Sequence, residues 1–241
     1  MQMIVAIVSL ALLMCVQATS AQSAAYSVSV RVHNSLPRLS ASDVNSLLDK
    51  ASKMLQKNNL GHPESDDDVK CDVTFTLKGP VGTFSDPPGA IVNQGNIDAV
   101  MNSDLDDADF HIKVVQKIEF CRPGVEGNQA GCAFSPPRFR SIVVVHPGSH
   151  PSGPGFPDHL LWAHEFGHLT GLGHRESQSA AETPHDEFGL MTRCNLKDQF
   201  SGMDDAKVQV NRDECRRLLA GPGHRSPGPF KLPQKCGHPP H

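Results

Sequence analysis

The chain has 241 residues, 38% of them hydrophobic and 20% charged, with a formal net charge of −4 and a sequence pI near 6.3. That length can bury a real core in one domain or two small lobes, and the mild acidity excludes nucleic acid or an anionic membrane surface as an electrostatic partner. Aromatics are scarce at 5%, whereas 20 Gly and 19 Pro require abundant turns; a coiled coil, a collagen and a multi-span membrane protein are excluded.

The chain opens with an apolar run from Ile4 to Val16, broken only by Ser9 and followed by small and polar residues up to Ala21. At about 13 residues it is too short to span a bilayer and fits a secretory signal, residues 1–21, cut near Ala21. An uncleaved anchor is the alternative. The mature protein is then secreted (extracellular, or periplasmic in a bacterium), with no stable membrane insertion. Of seven cysteines the signal removes Cys15, leaving Cys71, Cys121, Cys132, Cys194, Cys215 and Cys236. An even set in an exported chain predicts disulfides in several alternative pairings, and Cys121–Cys132 is the first expectation because it closes a short loop.

Residues 22–220 form one mixed α/β unit. Tyr26, Val28, Val30 and Val32 alternate with polar residues, which predicts a half-buried strand. Ser42-Asp43 then offers a cap for a helix whose Val44, Leu47, Leu48, Ala51 and Leu55 share a face before Gly61. Val73, Phe75 and Leu77 alternate, as do Phe110, Ile112 and Val114, while Ile142 to Val145 is an uninterrupted β-branched run of the kind covered on both faces. Two acidic stretches, Asp66 to Asp68 and Asp104 to Asp109, read as solvated loops; Ca2+ could bind such carboxylates, but nothing else in the sequence supports it. From Gly221 the chain is too rich in Pro and Gly to continue a helix, so residues 221–241 read as a tail.

The chemistry lies in His164-Glu165-Phe166-Gly167-His168-Leu169-Thr170-Gly171-Leu172-Gly173-His174. On a helix, His164 and His168 stand one turn apart on one face and can ligate one ion. Glu165 projects about 100° round from His164, within reach of a water on that ion without ligating it. Trp162, Phe166 and Leu169 occupy the other face and anchor the helix to the core. His174 can join the two other histidines only if the chain turns sharply, and Gly171 permits that turn. The remaining histidines nearby, His146, His150, His159 and His185, read as surface or hydrogen-bonded residues.

These residues resemble the metzincin clan of zinc endopeptidases, whose signature is HExxHxxGxxH followed by a Met-turn. Met191, in Gly189-Leu190-Met191-Thr192, is the Met-turn candidate, an apolar floor beneath the imidazoles. The resemblance implies a metzincin-like α/β catalytic domain. A twisted mixed sheet and the active-site helix form its upper lobe, and a smaller irregular lower lobe carries a C-terminal helix within Met203 to Leu219. It implies one catalytic zinc on His164, His168 and His174, with Glu165 as general base and acid. It also implies a protein or peptide substrate laid along an edge strand, and a monomeric enzyme. A catalytically silent zinc-binding adhesion or inhibitory module on the same scaffold is the alternative. Arg175 follows the third histidine, where matrixins tend to have Ser, adamalysins Asp and astacins Glu, so the family within the clan stays open. Lys235-Cys236-Gly237-His238-Pro239 is similar to the cysteine-switch segment of matrixin prodomains, here at the opposite end of the chain.

Overall fold

Tyr26, Val28, Val30 and Val32 all turn into the core from β1 (Ala24–His33), as their alternation predicts. The computed structural model describes residues 22–56, 70–134, 139–149, 157–174, 188–191, 208–210 and 212–223. The proposed signal (1–21), all but the first three residues of the tail, Asp66 to Asp68, His150, His185, Cys194 and Cys236 lie outside these.

After β1 comes α1 (Ala41–Gln56), which buries Val44, Leu48, Ala51 and Leu55 and leaves Leu47 half-buried. Its cap is Ser40, not the Ser42–Asp43 pair. Ser40 Oγ accepts from the Asp43 N–H at 3.1 Å, and the Asp43 carboxylate accepts from the Ser40 N–H at 3.2 Å. Only a residue three positions before Asp43 can exchange these two bonds, which is the capping-box spacing.

β2 (Val73–Leu77) and β3 (Gly82–Phe84) run parallel to the first and second halves of β1. β4 (Ala90–Ile91) and α2 (Gln94–Asn102) lead to β5 (Phe110–Val115), which pairs with the other side of β1. A hairpin of β6 (Lys117–Arg122) and β7 (Val125–Gln129) then runs directly into β8 (Gly131–Cys132), and β9 (Ser141–Val145) follows. The six-stranded sheet has the order β2-β1-β5-β9-β8, with β3 also on β1; only β8 is antiparallel to its neighbour. On one face of this sheet α1 and α3 (Asp158–Leu169) bury Ile142, Val144, Leu48 and Phe166. Against the other face, α2 and the small sheet β4-β6-β7 cover Val143 and Val145. β9 is therefore buried throughout, as its apolar run predicts.

β5 corrects the reading of alternation as solvent exposure on one side. It is central, and its polar residues are buried with partners. The His111 ring sits between the Arg140 carbonyl at 3.2 Å and the Asp106 carboxylate at 3.1 Å. The Lys113 ammonium donates to the Ser103 and Asp104 carbonyls and lies 5.9 Å from the Phe84 ring centre. Burial without such partners would cost several kcal/mol, on the order of the desolvation of a charged group.

The acidic stretch at 104–109 is a solvent-exposed loop, as expected, and two of its carboxylates also tie it to β1. Asp109 accepts from the N–H and Oγ of Ser27, both at 2.7 Å, and Asp106 accepts from Ser29 Oγ at 2.7 Å and the Ala108 N–H at 2.9 Å. Burial would raise the Asp106 carboxyl, but these bonds and His111 outweigh it and hold the pKa down at about 2. Because the folded value lies below the ordinary 3.8, the contribution is complete above that pH and is lost as pH falls towards 2. Asp106→Asn should therefore shrink the acid-induced drop in thermal midpoint in this window, leaving the share of Asp43, Asp107 and Asp109, whose carboxyls are also held low. An unchanged acid limb would remove Asp106 from that role.

Cys121 and Cys132 are bonded, as expected, and tie β8 to β6. Cys71 is bonded to Cys215, joining the approach to β2, two residues ahead of Val73, to the last described helix, α4 (Arg212–Ala220), across 144 positions. α4 begins later than the Met203–Leu219 run suggests. Val208 and Val210 are buried, and Val208–Gln209 forms β11, paired in parallel with β10 (Phe188–Gly189). Among the described residues, no helix is long and apolar enough to cross a membrane.

Candidate metal centre

α3 carries two of the three histidines and is itself almost wholly buried from His159 to Leu169. It is held from beneath by aromatic contacts. Phe166 lies 4.9 Å from Phe75, 4.9 Å from Phe110 and 5.0 Å from Tyr26 between ring centres. Trp162 and Leu169 complete the buried anchor, as the helical spacing predicts.

The helix ends in a Schellman turn. The Gly171 N–H donates to the His168 carbonyl at 2.9 Å, and the Leu172 N–H donates to the Gly167 carbonyl at 3.0 Å. Gly171 has φ 88°, a left-handed value that a side chain disfavours. This turn reverses the chain and brings His174 back over the helix. Its imidazole Nε2 lies 3.2 Å from that of His164 and 3.0 Å from that of His168.

Two backbone carbonyls set the tautomers. His164 Nδ1 is 2.7 Å from the Leu190 carbonyl, and His168 Nδ1 is 2.8 Å from the Leu172 carbonyl. A carbonyl can only accept, so each Nδ1 carries the proton and each Nε2 presents a lone pair. Both lone pairs face His174 Nε2, and a single N–H there could satisfy only one of them. Three nitrogen donors within 4.8 Å of one another are thus arranged for a cation. Burial lowers the pKa of His164 and pushes that of His168 further down, with the neighbouring histidines adding to the second; neutral imidazole is the form that ligates.

Glu165 is buried beside this cluster, and its Oε2 has no hydrogen-bond partner. Burial pushes its carboxyl up to about 8, against the pull of the Arg122 guanidinium. Its other oxygen is pressed on the backbone of β8, where a Cβ at Gly131 would fall 2.5 Å from Oε1. Met191 is fully buried, and its Sδ occupies the space a Cβ at Gly167 would need, directly against α3 between the two ligand-bearing turns. Residues 188–191 therefore contribute both the Leu190 carbonyl and the Met191 thioether.

Of the five residues singled out from the sequence, His164, His168 and His174 converge, Met191 packs on Gly167 between the first two, and Glu165, next to His164 in the chain, turns its carboxylate onto Gly131. His146 and His159 do not join them: His146 Nε2 donates to the Pro37 carbonyl at 3.1 Å, and His159 is buried with a partner of its own. Gly131, Arg122 and the Leu172 and Leu190 carbonyls carry no local signal of a role at this site; only the fold brings them to it.

Mirolysin of Tannerella forsythia, in complex with compound 9, superposes with a TM-score of 0.52 at 14% identity, over 82% of this chain and 92% of mirolysin. This is a metzincin-type fold. Mature mirolysin with a cleaved peptide gives 0.49 at 14% identity, over 81% and 90% of the two chains. Archaemetzincin from Methanopyrus kandleri gives 0.44 at 15% identity, over 81% and 93%. No family model matches the sequence, and neither does a curated protein sequence. The metzincin likeness is one of fold, and the family within the clan stays open.

Proposed function

We propose that the protein is a secreted, zinc-dependent endopeptidase. The observation that carries this reading is the set of three converging Nε2 lone pairs, two fixed by carbonyl-anchored Nδ1–H groups, beside a buried carboxyl with an unpartnered oxygen. Neutral nitrogen donors in this number suit zinc, and His164, His168 and His174 would hold it. Bound there, zinc supplies a Lewis acid that acidifies water and polarises a carbonyl.

The chain's own groups would do the rest. The Glu165 carboxylate accepts a proton from the attacking water and passes it to the nitrogen of the departing amine. Met191 and Gly167 form an apolar floor that keeps the imidazoles in place. β8 is the outermost strand of the main sheet, and the Val145 N–H donates to the Ala130 carbonyl at 2.8 Å. In an antiparallel ladder neighbouring residues face opposite ways, so the N–H and C=O of Gly131 point away from β9. A substrate strand adding at that edge would pass directly beside Glu165.

Zinc content and casein cleavage test this together. The mature protein should hold a single zinc and cleave casein until a chelator removes the metal, and His168→Ala should lose both zinc and cleavage. Zinc without cleavage would favour the silent adhesion or inhibitory module. Absence of zinc from freshly folded protein would overturn the reading.

A further inference from the structure

β8 is a poor strand by local criteria. It has two residues, begins with glycine, and pairs with β9 only through Gly131↔Val144 and Cys132↔Val143. Glycine in a strand is less favourable than alanine, and so short a ladder offers little in return. On its N-terminal side β8 continues from β7, which belongs to the other sheet and pairs with β6 through a register that shifts twice. Hydrogen bonding alone thus holds this segment weakly, although its position must be accurate: Gly131 stands in contact with Glu165 on one side and presents its N–H and C=O on the other.

The Cys121–Cys132 bond supplies what the ladder lacks. It joins the last residue of β8 to β6, both half-cystines are buried, and they pack in the second core with Ile118 and Val143. The covalent link closes a loop of 11 positions that holds the end of β6, the turn and all of β7, so β8 is fixed to the body of the small sheet one residue from the Glu165 contact. The other disulfide among the described residues, Cys71–Cys215, joins the approach to β2 to α4 and involves no residue of β8.

We propose that the Cys121–Cys132 disulfide is a positioning clamp that holds the β8 edge in register for an extended peptide, so that affinity for long ligands depends on it and the three-histidine centre does not. This rests on the peptidase reading above. Preorganisation of the edge means that a peptide need not order the strand when it binds.

The test compares two ligands on the zinc-loaded protein: a peptide of about eight residues whose central amide is replaced by a non-hydrolysable methylene-amine, and a dipeptide hydroxamate that reaches the metal but not the length of β8. Cys121→Ala with Cys132→Ala removes the bond without burying hydroxyls. Expected is a Kd for the long ligand weaker by about tenfold, with zinc content kept and the short ligand's Kd unchanged within about twofold. Cys71→Ala with Cys215→Ala should weaken neither ligand selectively, which separates positioning from general destabilisation. Should the double-alanine chain fail to fold, Cys121→Val with Cys132→Ala refills the space between β6 and β8 and is read in the same way. Equal losses for both ligands, or none for either, would overturn the clamp. Failure of casein cleavage by the native chain would instead strike the peptidase reading, which the ligand comparison does not use.

Discussion

Glu165→Ala should leave zinc bound and slow peptide hydrolysis by about 10²–10⁴-fold, the range that a positioned proton-transfer group contributes. The two halves of this expectation have separate structural origins. The imidazoles of His164 and His168 take their orientation from the Leu190 and Leu172 carbonyls, not from Glu165, so the donor set survives the change. The carboxylate is buried with one oxygen unpartnered, and among the described residues the donor cluster holds three histidines and no carboxylate that could replace it. The measurement is kcat on a peptide substrate, with zinc counted in the same samples. Glu165→Gln keeps the shape but cannot take the proton, and should fall as far as alanine. A variant that lost zinc along with activity would give Glu165 a structural role in the metal site instead.

Phe166→Ala should destabilise the fold by about 3–5 kcal/mol, the usual cost of emptying a buried aromatic site. Native domains are stable by only about 5–15 kcal/mol, so the loss takes a large share. Phe166 is fully buried and lies within 5.0 Å, centre to centre, of three other rings on three strands, β1, β2 and β5. It is also the residue between Glu165 and Gly167, so the cavity would open directly under the histidine-bearing helix α3. Urea unfolding of the zinc-loaded protein reads the effect as a lower midpoint at an unchanged slope. A loss below about 1 kcal/mol would mean that α3 is held by something other than this cluster.

The site was far more legible in the sequence than its surroundings. His164, His168 and Glu165 follow from helical spacing, and Gly171 from the demand that His174 return; each of these constraints acts over a dozen residues or fewer. β1 and β9 were legible for the same reason, since alternation and an unbroken β-branched run are local patterns. The β6–β7 hairpin was not, because Val125–Gln129 has one hydrophobic residue and is largely exposed, leaving little periodic signal to read. β8 was not, because two residues cannot display a period. Lys113 and His111 looked like solvent-facing positions, and only the placement of β5 at the centre of the sheet makes them buried. Gly131 stands 34 positions before Glu165, and nothing between them records that the two touch.

Support for the turn that carries His174 comes from α4, the last of the described elements to be synthesised. Arg217 donates to the Gly171 carbonyl at 3.3 Å, and the Gly223 N–H donates to the Leu169 carbonyl at 3.4 Å. Tyr26, near the start of β1, donates its hydroxyl to the Leu218 and Leu219 carbonyls at 2.8 and 2.9 Å. A growing chain released vectorially can therefore assemble its sheet and its histidine helix, yet the turn that carries His174 lacks these supports until residues 217–223 have emerged and docked.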